Sequence, residues 1–182
     1  IPQSIAIKDY LPHVKENISY LKKRNIKVYK ENKKGFKRVN PEKVEWENVN
    51  KKNFDYYFWQ DPGPWNSLGD VIFKLPNPYQ IYLHDTPQRH LFDKNVRSFS
   101  SGCIRIEKAL KLALYLLQNN SKWDKHQINK IIKDRDETSV FLSNPVPVYI
   151  LYWTVWVDKN GQLNYRKDIY NRDEKLKKSL YS

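Results

Sequence analysis

The apolar positions of this chain change period several times, and each change predicts an element. Near the start, Tyr10, Leu11 and Val14, then Ile18 and Leu21, recur at helical spacing, with Asp9 as a candidate cap. Pro12 falls in the first turn, where its missing amide is tolerated. Ile26 and Val28 flank Lys27 in a short strand signal, whereas residues 30–52 are polar, basic and weakly patterned, with turns near Gly35 and Pro41. Residues 54–59 form an aromatic run that predicts a strand. A loop rich in proline and glycine follows over 62–69, then strands over 71–75 and 80–83. Ile106, Leu110, Ala113, Leu114 and Leu117 make a one-faced stripe that predicts a central helix. Ile128, Ile131 and Ile132 predict a second helix over 122–133. From Pro145 the pattern turns to sheet. Residues 148–156 are apolar on both faces, as in a buried strand, and a turn at 158–161 leads to a partner strand over 163–170. The charged tail, 171–182, is expected to fray.

Composition narrows the class of protein. At 182 residues with 40% apolar and 14% aromatic content, one domain with a real core is expected. Lys and Arg outnumber Asp and Glu by 33 to 20, a net charge of +13 that attracts polyanions in general. The contiguous aromatics at 54–59 suit core packing or a cleft wall better than a stacking groove for nucleic acid. No apolar run approaches the ~20 residues that span a bilayer. The chain starts at Ile1 and holds no methionine, which reads as a processed product or an excised fragment. A single cysteine excludes an internal disulfide and every multi-cysteine zinc pattern.

That cysteine carries the candidate chemistry. Cys103 follows Ser100-Ser101-Gly102, a small-residue bend, and the predicted helix starts close behind it, which would set the thiol near a positive helix end. His84 lies 19 residues upstream (103 − 84), at the end of a strand signal and before the turn Asp85-Thr86-Pro87. A histidine within reach of a thiol completes a nucleophile–base pair. The amides of Gly102 and Cys103 are candidate oxyanion donors, and Arg105 can clamp a substrate carboxylate. His13, His90 and His126 have no partner that the sequence identifies.

The motifs Leu83-His84-Asp85-Thr86-Pro87 and Ser101-Gly102-Cys103-Ile104-Arg105 resemble the signature of the L,D-transpeptidase (YkuD-type) family. The likeness is to the branch in which Ser-Ser-Gly-Cys stands for the commoner Ser-His-Gly-Cys. It extends to residues 1–6, 62–69 and 165–170, and leaves residues 30–53 and the last dozen unplaced. It implies an α+β, largely β, fold: a β-sandwich-like core (54–170) with a central helix after the cysteine, a mainly helical capping subdomain (1–53) and a charged tail (171–182). The family's catalytic domain usually opens with several strands upstream of the Pro-x-Ser-Ile-Ala segment, so those strands are expected to be missing from this chain. The resemblance also leaves room for a membrane anchor upstream of them.

The same resemblance implies a peptidoglycan L,D-transpeptidase of the cell envelope, in the periplasm, forming 3→3 cross-links through a thioester on Cys103 with His84 as base. Ser101 takes the place of a second histidine, which leaves the base role to His84 alone. Ser101 and Gly102 would line the oxyanion pocket, and Tyr82 and Arg105 would position substrate. The implied partners are donor and acceptor stem peptides, with β-lactams of the carbapenem class as inhibitors. Neither nucleic acid, metal nor organic cofactor is expected. Two alternatives stand beside this: a carboxypeptidase or cysteine peptidase acting on the same stems with water as acceptor, and a non-catalytic basic binding module.

Overall fold

The helical spacing at the start of the chain closes into α1 (Gln3–Ile5), a wide turn (Ala6–Tyr10), α2 (Leu11–Glu16) and α3 (Ser19–Lys23). In this computed structural model, which describes residues 1–79, 81–100 and 102–181, the wide turn is a π-turn, with the Leu11 amide donating to the Ala6 carbonyl. A π-turn puts residues five apart on one face, so Ala6 and Leu11 are both buried, together with Val14. Asp9 sits inside this turn and makes no capping bond.

Alternation at Ile26 and Val28 becomes β1 (Ile26–Asn32). The weakly patterned stretch that follows also forms sheet: β2 (Gly35–Val39) returns along β1 as a hairpin. Its turn is made by Asn32 Oδ1 accepting from Lys34 N at 2.8 Å and by Gly35 at φ +108°, a conformation that suits only glycine. The aromatic run supplies β3 (Tyr56–Gln60), antiparallel on the other side of β1, in the order β2-β1-β3. Val28 opposes Val39 on one side and Phe58 on the other. Under this sheet Leu11, Val14, Leu21, Trp46 and Phe54 close around Phe58, which is fully buried. The Trp46 indole N–H stays satisfied by donating to the Pro41 carbonyl at 2.8 Å. The first 53 residues are therefore mixed helix and strand, and their sheet runs across position 53 into the aromatic strand.

A second sheet carries the motifs. β4 (Ile72–Phe73) pairs antiparallel with β5 (Leu83–His84), which pairs parallel with β6 (Ile104–Arg105). After it come α4 (Ala109–Leu116), which buries Ala109 and Ala113, and α5 (Lys125–Asp134), capped by Asp124 Oδ1 accepting from Gln127 N at 2.8 Å. The central helix thus starts six residues after Cys103. β6 intervenes, because Ile104 and Ile106 spend their amides on β5 rather than on a helical turn. The helix dipole expected at the thiol is absent for that reason.

The chain divides into two compact units, Ile1–Leu142 and Ser143–Ser182. In the second, β7 (Val155–Val157) and β8 (Leu163–Tyr165) form the hairpin expected around Gly161. The long buried strand expected from Pro145 does not form: Tyr149, Ile150, Leu151 and Trp153 are exposed, and the ladder is confined to β7. A strand apolar on both faces needs cover on both, and β8 reaches only three residues of it. The tail is ordered instead of frayed. It folds as α6 (Asp173–Tyr181), with Asp173 and Glu174 at the favourable end of its dipole and Asp173 N donating to Asp168 Oδ2 at 2.8 Å. The whole is an α+β protein, as the resemblance implied.

Candidate active site

Parallel pairing of β5 with β6 brings the two motifs together. The Ile104 amide donates to the Tyr82 carbonyl at 3.0 Å and the Ile106 amide to the His84 carbonyl at 2.8 Å. In this register Leu83 lies opposite Ile104 and His84 opposite Arg105. Paired residues of neighbouring strands share a face, and alternate residues share it along each strand. Continuing one step, Cys103 falls opposite Tyr82, so Tyr82, His84, Cys103 and Arg105 belong to one face of the sheet. With strands ~4.8 Å apart and a rise of ~3.3 Å per residue, the Cα atoms of Cys103 and His84 are about 8 Å apart. That spacing lets a histidine ring reach toward a thiol.

His84 is almost fully buried, and its Nδ1 lies 2.5 Å from the Asp85 carbonyl oxygen. A carbonyl only accepts, so Nδ1 must carry the proton, leaving the Nε2 lone pair as the base. Burial is the main cause that pulls the His84 pKa below its ordinary value. The Asp85 carbonyl bond, the Asp85 charge and the Leu68 carbonyl oppose it, and the nearby Arg105 charge adds to it. The imidazole is thereby kept neutral and able to take a proton at neutral pH.

Asp85 is itself pinned. Its amide donates to the Val71 carbonyl at 2.8 Å, and its Oδ2 accepts from Asp70 N at 3.1 Å. Arg89 Nη2 donates to both carboxylate oxygens, at 2.9 and 3.2 Å, while Arg89 Nη1 donates to the Glu107 carbonyl at 3.0 Å. Gly69 makes room for this carboxylate: a Cβ there would stand 2.5 Å from Asp85 Oδ2. Burial and the Asp85 charge push the Asp70 carboxyl above its usual range, against the pull of Arg89. Gly63, Pro64, Gly69, Asp70, Thr86 and Pro87 line a shallow cleft beside this network.

Cys103 is half-buried and free. Before it, Gly102 takes φ +156°, an angle that residues with a side chain rarely adopt. The Gly102 amide donates to Ser100 Oγ at 3.1 Å, and the Ser100 hydroxyl donates to the Cys103 carbonyl at 2.5 Å. The bend expected at Ser100-Ser101-Gly102 is therefore tied by the Ser100 hydroxyl, to which the sequence assigned no role, and the Gly102 amide must leave Ser100 before it can serve an oxyanion. Ser101 lies outside the described residues. Arg105 Nη1 is buried without a hydrogen-bond partner among the described residues.

A family model described as the L,D-transpeptidase catalytic domain (YkuD) matches residues 1–150. The chain belongs to the L,D-transpeptidase family. It is also 33% identical over 175 residues to a protein of Haemophilus influenzae (strain ATCC 51907 / DSM 11121 / KW20 / Rd) named "Putative L,D-transpeptidase", a match covering 96% of this chain and 34% of that protein. The chain thus spans about a third of the length of the curated relative it matches. Membership of the L,D-transpeptidase family fits the chemistry of the face just described: a thiol, a neutral histidine whose tautomer is set, and a fixed cation. Among the described residues no helix is long and apolar enough to cross a membrane, and no three His, Cys, Asp or Glu side chains converge to hold a metal.

The sequence pointed to Tyr82, His84, Cys103 and Arg105; the register pairs His84 with Arg105, and one step beyond the paired residues Tyr82 would stand opposite Cys103. What orients His84 was not legible. The orienting atom is the backbone oxygen of Asp85, whose carboxylate is taken up by Arg89 and the Asp70 amide. Arg89 was also missed, although its spacing of four residues from Asp85 is the one signal that could have found the pair.

Proposed function

We propose that this domain is a peptidoglycan L,D-transpeptidase forming 3→3 cross-links through a thioester on Cys103. The observation that carries the reading is the His84 Nδ1 bond to the Asp85 carbonyl, on the strand paired to the one that follows Cys103. Nε2 takes the proton of the Cys103 thiol as sulfur attacks the carbonyl carbon of the third residue of a donor stem. The oxyanion of the tetrahedral intermediate is met by amides of the bend before β6. Collapse breaks the peptide bond to the terminal D-alanine, whose amine leaves with the proton from His84. A side-chain amine of a second stem, deprotonated by the same nitrogen, then attacks the thioester and returns the thiol. Arg105 Nη1, buried and unpartnered among the described residues, suits a stem carboxylate, and Tyr82 lies opposite Cys103 to shape the donor pocket. Donor and acceptor stems place the work in the cell envelope, on the periplasmic side, and the same thiol would be acylated by carbapenems.

The test is intact mass after incubation with a carbapenem, on the wild type and on Cys103→Ala, with folding followed by circular dichroism. One drug-sized adduct on the wild type alone is expected. A folded wild type without an adduct would refute the acyl-transfer assignment. Product analysis with and without an acceptor peptide then separates a transpeptidase from a carboxypeptidase that uses water.

A further inference from the structure

We infer that Arg89 is a positioning residue for His84, acting by holding Asp85 so that its carbonyl oxygen stays on the imidazole. The inference rests on the Cys103/His84 reading above and adds a residue that the two motifs do not include. The Asp85 carbonyl is the atom that keeps the proton on Nδ1 and frees Nε2. A carbonyl at the end of a two-residue strand has no ladder to fix it, since β5 stops at His84. Its peptide is held instead through its own residue: the Asp85 amide on the Val71 carbonyl, and the carboxylate on Arg89 Nη2 and on the Asp70 amide.

Arg89 does more than neutralise a buried carboxylate. The same guanidinium reaches across to the Glu107 carbonyl, just beyond β6. One planar group therefore ties the residue after the base to the segment after the nucleophile strand. This is a two-ended contact that a fork can make and a point charge cannot. Fixing these two peptides fixes the register in which His84 faces the Cys103 strand. Gly69 belongs to the same device, because any side chain there would evict the carboxylate that Arg89 grips.

Cys103 is the only cysteine, so its alkylation by iodoacetamide reports on it alone, without any substrate. The readout is the ratio of the alkylation rate at about pH 7 to that at about pH 9.5, where a free thiol ionises without help. Each variant is checked as folded by circular dichroism and by its urea midpoint. His84→Ala should lower the ratio, and Arg89→Gln should lower it by at least about fivefold, a modest part of what a placed base contributes. Arg89→Lys, which keeps the charge beside Asp85 but not the bridge to Glu107, should fall between Arg89→Gln and the wild type, and decides the matter if the Gln variant does not fold. A merely structural role predicts a lower urea midpoint with the ratio unmoved in the folded protein. Wild-type ratios in both Arg89 variants, with a reduced one in His84→Ala, would overturn the positioning role. A wild-type ratio in His84→Ala would instead overturn the Cys103/His84 pairing on which it rests.

Discussion

Gly69→Ala is the sharpest test of how the segment around His84 is supported. Gly69 sits at φ +64°, and its absent Cβ leaves the space occupied by Asp85, with Oδ2, Cβ and Cγ all within 2.6 Å of where the new atom would lie. Left-handed backbone costs a residue with a side chain roughly 1–2 kcal/mol. The clash cannot be relieved at the surface, because Asp85 is only 3% exposed and its carboxylate is anchored by Arg89 and the Asp70 amide. Displacing it forfeits a charge-assisted hydrogen bond, worth about 1.5–3 kcal/mol. The two effects together predict a loss of roughly 3–5 kcal/mol in urea unfolding of the first unit. Gly69→Asn separates them: Asn tolerates the backbone angle, so the smaller part is relieved while the Cβ clash stays. A loss below about 1 kcal/mol for Gly69→Ala would refute the reasoning, since it would mean that the Asp85 carboxylate moves aside freely.

Two further outcomes follow from the same geometry. Phe58→Ala removes a fully buried ring that meets Phe54 and Trp46 edge-on at 5.6 and 5.9 Å, and should cost about 3–5 kcal/mol in the same urea assay. His84 has a folded-state pKa below the ordinary value near 6.5, mainly from burial, so the unfolded chain binds its proton more readily. Stability should therefore fall as pH drops through about 6.5 and level off once the folded-state pKa is passed, and His84→Gln should flatten this acid limb. Asp70, held above its usual range, works with the opposite sign nearer pH 4 and does not mask it.

The sequence exposed those features whose cause is local. Alternation at Ile26 and Val28, the helical spacing around Ile128 and the turn at Gly161 all became the elements they predict. The two motifs stand out because a rare thiol and a histidine at a strand end are chemically conspicuous, and β5 and β6 pair beside them. The failures share a different cause. β2 carries little apolar pattern, since four of its five residues are exposed and its register comes from β1 and the Gly35 turn. Residues 148–153 have the composition of a buried strand, but composition does not supply the neighbours that would bury them. Cys103 was expected beside a helix end, and the tie of Ile104 and Ile106 to β5, a long-range contact, sets it beside a strand instead. The orienting oxygen of Asp85 belongs to the backbone, to which side-chain pattern is blind.

The strand that carries His84 and the strand that follows Cys103 are two residues long, whereas β1 has seven and rests on an aromatic core. A ladder so brief can open while that core stays shut. Order at this ladder and foldedness are then separate properties of this domain: gentle warming would part β5 from β6 reversibly before calorimetry registers a melting core. A molecule bridging β5 and β6 would act as the rung the ladder lacks, and its occupancy would prolong the life of the site far more than that of the fold.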